Sequence, residues 1–171
     1  IKKYGGTAQA AIVYTTSPVH TIEYYVDLAK KLEVMGADSI CIKDMSGILL
    51  PNDTYDLVKA LKENLTVSVH IHTHCTAGLA EMNYMKAVEA GVDGIDTAIS
   101  PFSKGTSQPP TESMAASLKN IGYDTNLNFD KLNKIADYFT GIREKYIESG
   151  IFNLKMLDTD KWSKIAGNID V

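Results

Sequence analysis

The chain has 171 residues, of which 44% are hydrophobic and 22% are charged, and its formal net charge is −4 at pH 7. This composition predicts a globular protein of about one domain, and the mild acidity argues against nonspecific nucleic-acid binding. No apolar run reaches the roughly 18 residues of a membrane span, and we expect no secretory signal. The only cysteines, Cys41 and Cys75, give no disulfide framework, so we expect a reducing, cytoplasmic compartment.

Four short runs with strand character follow one another at intervals of about 28 residues, the length of a strand followed by a helix. They are Gln9–Thr15, Ser39–Lys43, Thr66–His72 and Gly94–Ile99. Apolar residues at helical spacing follow each run. These residues are Ile22, Tyr25, Val26, Ala29 and Leu32; Leu57, Val58, Leu61 and Leu65; Met82, Met85 and Val88; and Met114, Leu118 and Ile121. The alternation predicts an α/β fold with a parallel sheet.

Residues that start and stop helices support this interpretation. Three glycines follow predicted helices and are expected to cap their C-termini: Gly36, Gly91 and Gly122. Pro51 and Asn52 predict the start of the second helix, and Ser107 or Thr111 is the expected N-cap of the fourth.

Four such units are half of a (β/α)₈ barrel, which takes roughly 250 residues. We therefore expect half of a TIM barrel or a small open sheet in residues 1–123. A fifth helix, with Leu132, Ile135, Ala136, Phe139, Ile142 and Tyr146 at helical spacing, begins a C-terminal extension over residues 124–171. Trp162 is expected to pack the tail of that extension. Exposed sheet edges would make such a half-barrel a homo-oligomer.

The third run carries most of the chemistry. Its alternation places Ser68, His70, His72 and His74 on one face and apolar residues on the other. A polar face suits a barrel interior that opens into a site at the carboxyl ends of the strands. His72 and His74 can therefore share one metal ion, with His70 deeper and in a supporting role. The alternative is a strand end with hydrogen-bonded histidines.

Lys43 ends the second run on the same predicted face. A lysine that points into an interior is unfavourable unless it is paired or modified, and burial frees its amine as a nucleophile. Carboxylation by CO₂ would turn it into an anionic metal ligand. The alternatives are a lysine that reaches solvent or pairs with Asp44.

Four ordered motifs resemble a known family. They are Cys41-Ile-Lys-Asp-Met-Ser-Gly-Ile-Leu49, His70-Ile-His-Thr-His74, Gly94-Ile-Asp-Thr-Ala98 and Gly105-Thr-Ser-Gln-Pro109. Together they resemble the carboxyltransferase domain of biotin-dependent pyruvate carboxylases built from separate subunits and of oxaloacetate decarboxylase α subunits. The resemblance covers about residues 8–157 and implies the C-terminal half of a (β/α)₈ barrel.

The resemblance implies a lyase or ligase that moves CO₂ between oxaloacetate or pyruvate and biotin at a divalent metal. It implies carboxylated Lys43, His72 and His74 as metal ligands, with Zn expected before Co or Mn. It implies Thr106 as the hydroxyl that carries a proton between pyruvate enol and biotin. Supporting or substrate-contacting roles are expected for His70, Asp44, Met45, Gln108 and Cys75. Biotin would be carried by a separate domain, and a sodium-pumping decarboxylase would add a membrane subunit.

The chain departs from the family where an Arg-Asp motif should supply a fourth metal ligand, and its only arginine is Arg143. We therefore expect a fragment that lacks the N-terminal half of the barrel and is poorly active alone. Two alternatives remain: another metal-dependent barrel lyase of the aldolase or Claisen type, and a half-barrel module without catalytic activity. A hydrolase with carboxylated lysine is disfavoured because its paired histidines would precede the lysine.

Overall fold

The computed structural model describes residues 1–158, and the expected packing of Trp162 lies outside the described residues. The chain forms two compact units. The first contains residues 1–73 and 82–96, and the second, among the described residues, contains 74–81 and 97–158. Division into residues 1–123 and 124–171 stays a prediction. None of the helices in the described part of the chain is both long and apolar enough to cross a membrane.

The first unit contains a four-stranded parallel sheet in the order β1-β2-β3-β4. Its strands are β1 (Gln9–Val13), β2 (Ser39–Asp44), β3 (Ser68–Thr73) and β4 (Gly94–Ile95). The predicted parallel sheet is confirmed. The fourth strand is much shorter than the predicted run Gly94–Ile99, because its pairing with β3 stops after Ile95.

Within the described residues, five α-helices alternate with and follow these strands. They are α1 (Ile22–Val34), α2 (Pro51–Asn64), α3 (Ala80–Glu89), α4 (Thr111–Asn120) and α5 (Phe129–Glu148). Thr21 caps α1 by accepting a hydrogen bond from the Tyr24 amide, and α2 starts at Pro51, whose ring preorganises the first turn. The expected N-cap of α4 is wrong, because Pro110 holds that position and Thr111 is already helical.

The predicted glycine caps are confirmed. Gly36, Gly91 and Gly122 have φ angles of 97°, 88° and 96°. The residue after each glycine donates its N–H to a carbonyl five residues earlier, as Ala37 does to Leu32 at 3.1 Å. This is the Schellman arrangement, and it requires the left-handed backbone that glycine adopts at little cost.

One face of the sheet packs against α1 and α2 to form the core of the first unit. The core residues alternate along the strands and repeat at helical spacing, as predicted. They are Ile12, Tyr25, Val26, Ala29, Ile40, Ile42, Leu57, Leu61 and Val69. The opposite, half-exposed face of β2 and β3 is thereby left for polar side chains.

The predicted apolar face of α3 is wrong at Met82, whereas Met85 and Val88 are half-buried. Met82 is 51% exposed, whereas Asn83 and Tyr84 are fully buried. The Asn83 side chain donates to the Leu49 carbonyl at 2.7 Å, and the Tyr84 hydroxyl bonds to main-chain groups of β3 and of the segment after β4. Hydrogen-bonding partners distant in sequence therefore make these two polar residues better suited to the interior than Met82.

In the second unit, α5 packs against residues 100–102 and against α4. Phe102 meets Phe139 and Phe152 edge to face, with ring centroids 6.1 and 5.7 Å apart. The predicted α5 is confirmed, but only Leu132 on it is fully buried.

Candidate active site

Lys43 and His72 lie side by side at the carboxyl ends of β2 and β3. They are register partners in the parallel ladder. Both are half-buried, while Ile42 and Ile71 beside them are buried on the opposite face of the sheet. The structure therefore confirms the predicted polar face and brings the lysine and one imidazole onto it, because strand side chains alternate.

Asp96 completes this arrangement and was not singled out by sequence reasoning. Its carboxylate oxygen Oδ2 lies 2.8 Å from Nδ1 of His72. Such a carboxylate fixes the orientation of an imidazole and directs metal binding to Nε2. The feature that could have identified Asp96 is its position directly after β4, because side chains at the carboxyl ends of parallel strands lie along the same edge of the sheet.

The charges of Lys43 and Asp96 both act on the thiol of Cys41, which is buried on β2. Burial, and then the negative charge of Asp96, raise the pKa of the Cys41 thiol to about 11, while the positive charge of Lys43 acts in the opposite direction. Cys41 is therefore a neutral thiol at pH 7 and provides a polarisable wall rather than a nucleophile.

None of the ion pairs within residues 1–158 involves Lys43.

Asp44 follows Lys43 and points to the opposite, buried side of the sheet. Its carboxylate accepts hydrogen bonds from the amides of Ile48 and Leu49 at 3.1 and 2.9 Å, and from the Thr73 hydroxyl at 2.7 Å. It is engaged by the loop after β2 and by the end of β3, not by Lys43. Asp44 therefore joins the ends of the strands that carry Lys43 and His72.

His70 lies deeper on the polar face than His72, as predicted. Its imidazole rests against Gly94, its register partner on β4. His70 is thus packed toward the beginning of β4, whereas Asp96 contacts His72 at the end.

The second unit contains three further predicted residues, His74, Thr106 and Gln108. Nδ1 of His74 lies 2.6 Å from the carbonyl oxygen of Thr106, so the main chain orients this imidazole as well. The Thr106 hydroxyl donates to the Met156 carbonyl at 2.8 Å. Gln108 accepts the Lys104 amide at 2.9 Å through its main-chain oxygen, and this bond closes the loop that contains Thr106.

Two further predicted residues differ in exposure. Met45, in the first unit, is 53% exposed. Cys75, in the second unit, is buried, and its amide donates to the Ser107 carbonyl at 2.8 Å. Burial, followed by the negative charge of Glu81, raises the pKa of the Cys75 thiol to about 12.

The donor set fits a divalent metal in part. No group of three or more His, Cys, Asp or Glu side chains within residues 1–158 is arranged to hold an ion. However, His72 and His74 both have Nδ1 oriented by an oxygen acceptor, which is the usual arrangement of metal-bound histidines. Carboxylation of Lys43 would add an oxygen donor next to His72 that the unmodified residue lacks.

The described residues form parallel βα units of the α/β class, with a lysine and an imidazole at the carboxyl ends of adjacent strands, which is where the sites of TIM barrels lie. Residues 7–139 match the HMGL-like family, and the chain belongs to this family.

Its relatives include carboxylase and carboxyltransferase subunits. The chain is 60% identical over 145 residues to the B subunit of pyruvate carboxylase from Methanocaldococcus jannaschii, covering 85% of this chain and 26% of that protein. It is 51% identical over 148 residues to the methylmalonyl-CoA carboxyltransferase 5S subunit of Propionibacterium freudenreichii subsp. shermanii, covering 85% and 29%. The chain thus spans about a quarter of the length of these relatives.

The same likeness holds in three dimensions. The carboxyl transferase domain of Rhizobium etli pyruvate carboxylase superimposes with a TM-score of 0.81 and 37% identity, over 85% of this chain and 25% of that one. The predicted fold, four βα units of a TIM barrel followed by a C-terminal helix, is therefore confirmed.

Proposed function

We propose that this chain provides part of the carboxyltransferase site of a biotin-dependent enzyme that moves CO₂ between oxaloacetate or pyruvate and carboxybiotin. The observation that carries the proposal is the register pairing of Lys43 with His72, whose Nδ1 is held by Asp96. Similarity to the carboxylase and carboxyltransferase subunits supports the reaction class. A likeness to the Rhizobium etli domain solved with pyruvate and biocytin supports the substrates.

Lys43, His72 and His74 would hold the divalent metal in this proposal. The neutral Lys43 amine adds to CO₂, an N–C bond forms, one proton is released, and the resulting carbamate supplies an anionic oxygen ligand. Lys43 and His72 are proposed from their positions on the sheet, and His74 from the His-x-His pattern. Imidazole and carboxylate-type donors fit Zn, with Co and Mn as the alternatives.

When bound, the metal would polarise the keto acid and stabilise negative charge on its enolate. The residues of this chain orient the ligands for that task. Asp96 holds His72 by Nδ1, the Thr106 carbonyl holds His74, and Asp44 joins the ends of β2 and β3.

Thr106 is proposed to carry the proton between pyruvate enol and biotin, as the family resemblance implies. A hydroxyl can donate and accept, which suits this task. In the structure it donates to the Met156 carbonyl, so this hydrogen bond would open when the hydroxyl meets substrate.

The proposal implies further partners. Biotin would arrive on a separate carrier domain, and the remaining barrel strands would supply the fourth metal ligand and the arginine residues for the keto acid. A membrane partner is part of the proposal only for a sodium-pumping decarboxylase. The unbridged cysteines Cys41 and Cys75 support a cytoplasmic location.

Metal analysis of the purified protein tests the proposal directly. Wild type is expected to retain about one divalent ion, whereas Lys43→Ala, His72→Ala and His74→Ala lose most of it. The matched controls are Lys86→Ala and His20→Ala, which remove the same side-chain types at exposed or partly exposed positions and are expected to retain the ion. Retention of metal in Lys43→Ala would remove Lys43 from the ligand set.

Carbon-13 labelling separates a carboxylated lysine from a simple ammonium. Wild-type protein equilibrated with labelled bicarbonate is expected to show a carbamate resonance that Lys43→Ala lacks and Lys86→Ala retains. Short carboxylic acids are expected to restore part of the metal content of Lys43→Ala. A chain without the carbamate signal and without bound metal would favour the non-catalytic module.

A further inference from the structure

The main chain at the end of β4 has few sheet hydrogen bonds. The β3–β4 ladder contains only the pairs His70↔Gly94 and Ile71↔Ile95. Beyond it, the Asp96 amide donates to the Ile71 carbonyl at 3.1 Å. No further pair of the β3–β4 ladder follows, and Asp96, whose carboxylate contacts His72, lies at this point.

Tyr84 spans the gap that follows. This residue lies on α3 and is fully buried. Its hydroxyl accepts a hydrogen bond from the Thr73 amide at 3.0 Å and donates one to the Asp96 carbonyl at 2.5 Å. It thereby replaces a rung of the ladder with one side-chain oxygen and satisfies two main-chain groups that the sheet leaves unpaired.

Both main-chain partners of Tyr84 are adjacent to groups of the site. Thr73 follows His72 directly, and the Thr73 hydroxyl donates to Asp44. The other partner is Asp96 itself, whose side chain lies 2.8 Å from Nδ1 of His72. The Tyr84 hydroxyl therefore links the Thr73 amide, next to His72, to the Asp96 carbonyl, and so fixes the distance between these two main-chain segments.

We propose that Tyr84 is a positioning residue for His72, acting through Asp96. The hydroxyl holds the main chain of Asp96 at the end of β3, so the carboxylate meets Nδ1 and the imidazole keeps one orientation. The effect on metal binding rests on the proposed function, whereas the effect on the His72–Asp96 hydrogen bond does not.

Tyr84→Phe tests the proposal because it removes only the hydroxyl. Tyr25→Phe is the matched control: Tyr25 is also buried, and its hydroxyl accepts from the Thr15 amide and donates to the Thr15 carbonyl. We expect Tyr84→Phe to weaken Zn²⁺ binding by about tenfold, and Tyr25→Phe to leave it unchanged. If wild type binds Zn²⁺, equal Zn²⁺ affinities of the two variants would overturn the proposal.

A double-mutant cycle identifies the route. If Tyr84 acts through Asp96, adding Tyr84→Phe to Asp96→Ala lowers Zn²⁺ affinity no further. An additive loss would show that Tyr84 acts elsewhere and would overturn the proposal. Because Asp96→Ala leaves Tyr84 and the Asp96 carbonyl in place, it also gives a measurement should Tyr84→Phe fail to fold.

Nitrogen-15 NMR of the metal-free protein keeps this proposal distinct from the proposed function. Tyr84→Phe is expected to weaken the His72 Nδ1–Asp96 hydrogen bond, seen as a shifted Nδ1 resonance, and Tyr25→Phe is expected to leave it unaltered. A wild type that binds no Zn²⁺ but shows this difference would refute the metal site and support the positioning role. An unchanged Nδ1 resonance in Tyr84→Phe would refute the positioning role.

Discussion

The imidazole of His70 rests directly against the main chain of Gly94. A Cβ atom at position 94 would lie 2.5 Å from Nδ1 of His70 and 2.6 Å from its Cε1. These separations are far below van der Waals contact, so only glycine lets the His70 ring occupy this position. The first rung of the β3–β4 ladder and the deepest histidine of the polar face therefore depend on the same glycine.

Gly94→Ala is expected to lower the free energy of unfolding by about 1–3 kcal/mol, because the new methyl group displaces the His70 ring. Urea unfolding of the purified chain measures this. His70→Ala in the same chain should restore part of the loss. The control is Gly141→Ala, where a Cβ meets nothing within 4 Å on α5, and it should stabilise by about 0.5–1 kcal/mol. A fully stable Gly94→Ala variant would contradict the close contact.

Glu33 is expected to make stability depend on pH. Its carboxylate accepts hydrogen bonds from the Thr66 hydroxyl, the Thr66 amide and the Val67 amide, and these bonds lower its pKa from the ordinary value of 4.5. A lowered folded-state pKa stabilises the fold above the unfolded-state value, and this stabilisation is lost as the pH falls below it. Glu33→Gln should therefore be less stable than wild type near pH 7, with a difference that shrinks below pH 4.5.

Urea unfolding at several pH values checks this expectation, with Glu63→Gln on α2 as the exposed control. If the stability difference between Glu33→Gln and wild type stayed constant down to about pH 3, the three hydrogen bonds would not depend on the charge of the carboxylate.

Both cysteines are expected to resist thiol reagents in the folded protein. Cys41 and Cys75 are buried, and their thiol pKa values are raised from 9.0 to about 11 and about 12. Since the thiolate is the reactive form, labelling near pH 8 should be slow until urea unfolds the chain. Ser117→Cys places a thiol on an exposed position of α4 and should react quickly.

The same raised pKa values predict a loss of stability at alkaline pH. Above pH 9.0 the unfolded thiols release protons that the folded ones retain, so the free energy of unfolding should decrease as the pH rises toward 11 and 12. Rapid labelling of either native thiol at neutral pH would contradict both expectations.

The outer edge of β1 is expected to drive self-association of the purified chain. β1 pairs only with β2, and within residues 1–158 no strand covers its other edge. The Tyr14 amide donates to the Lys43 carbonyl, so the even-numbered residues of β1 direct their main-chain N–H and C=O groups toward β2. The main-chain amide of Ala11 therefore points away from β2, to the open edge. Ala11→Pro should reduce association in size-exclusion chromatography with light scattering, because it removes an outward donor.

Ala10→Pro is the matched comparison, since it removes a donor that faces β2 and should destabilise the sheet instead. A wild-type chain that stays monomeric at high concentration would contradict the role of this edge.

Much of the first unit follows from local patterns. Alternation in β2 and β3 predicted the face that carries Lys43 and His72. The apolar neighbours Ile42 and Ile71 must face the core, so Lys43 and His72 must point to the opposite face of the sheet. Glycines at helix ends are similarly local signals, since the left-handed cap depends on a few consecutive residues.

The features that sequence reasoning missed depend on partners far along the chain. Asn83 and Tyr84 are buried because their polar atoms meet the main chain of residues 49, 73 and 96. No local pattern contains these contacts, so Met82 looked like the better core residue. Asp96 was hidden for the same reason: its role depends on the pairing of β3 with β4.

Lys43 and Asp44 are consecutive residues whose side chains point to opposite faces of the sheet. One residue inserted early in β2 would exchange them, turning the ammonium toward the helices and the carboxylate toward the polar face. The loop amides of Ile48 and Leu49 would lose their acceptor in the same event. An insertion that moved the Lys43 amine would therefore also remove the main-chain hydrogen bonds that Asp44 accepts, so the chain would lose stability together with the position of Lys43.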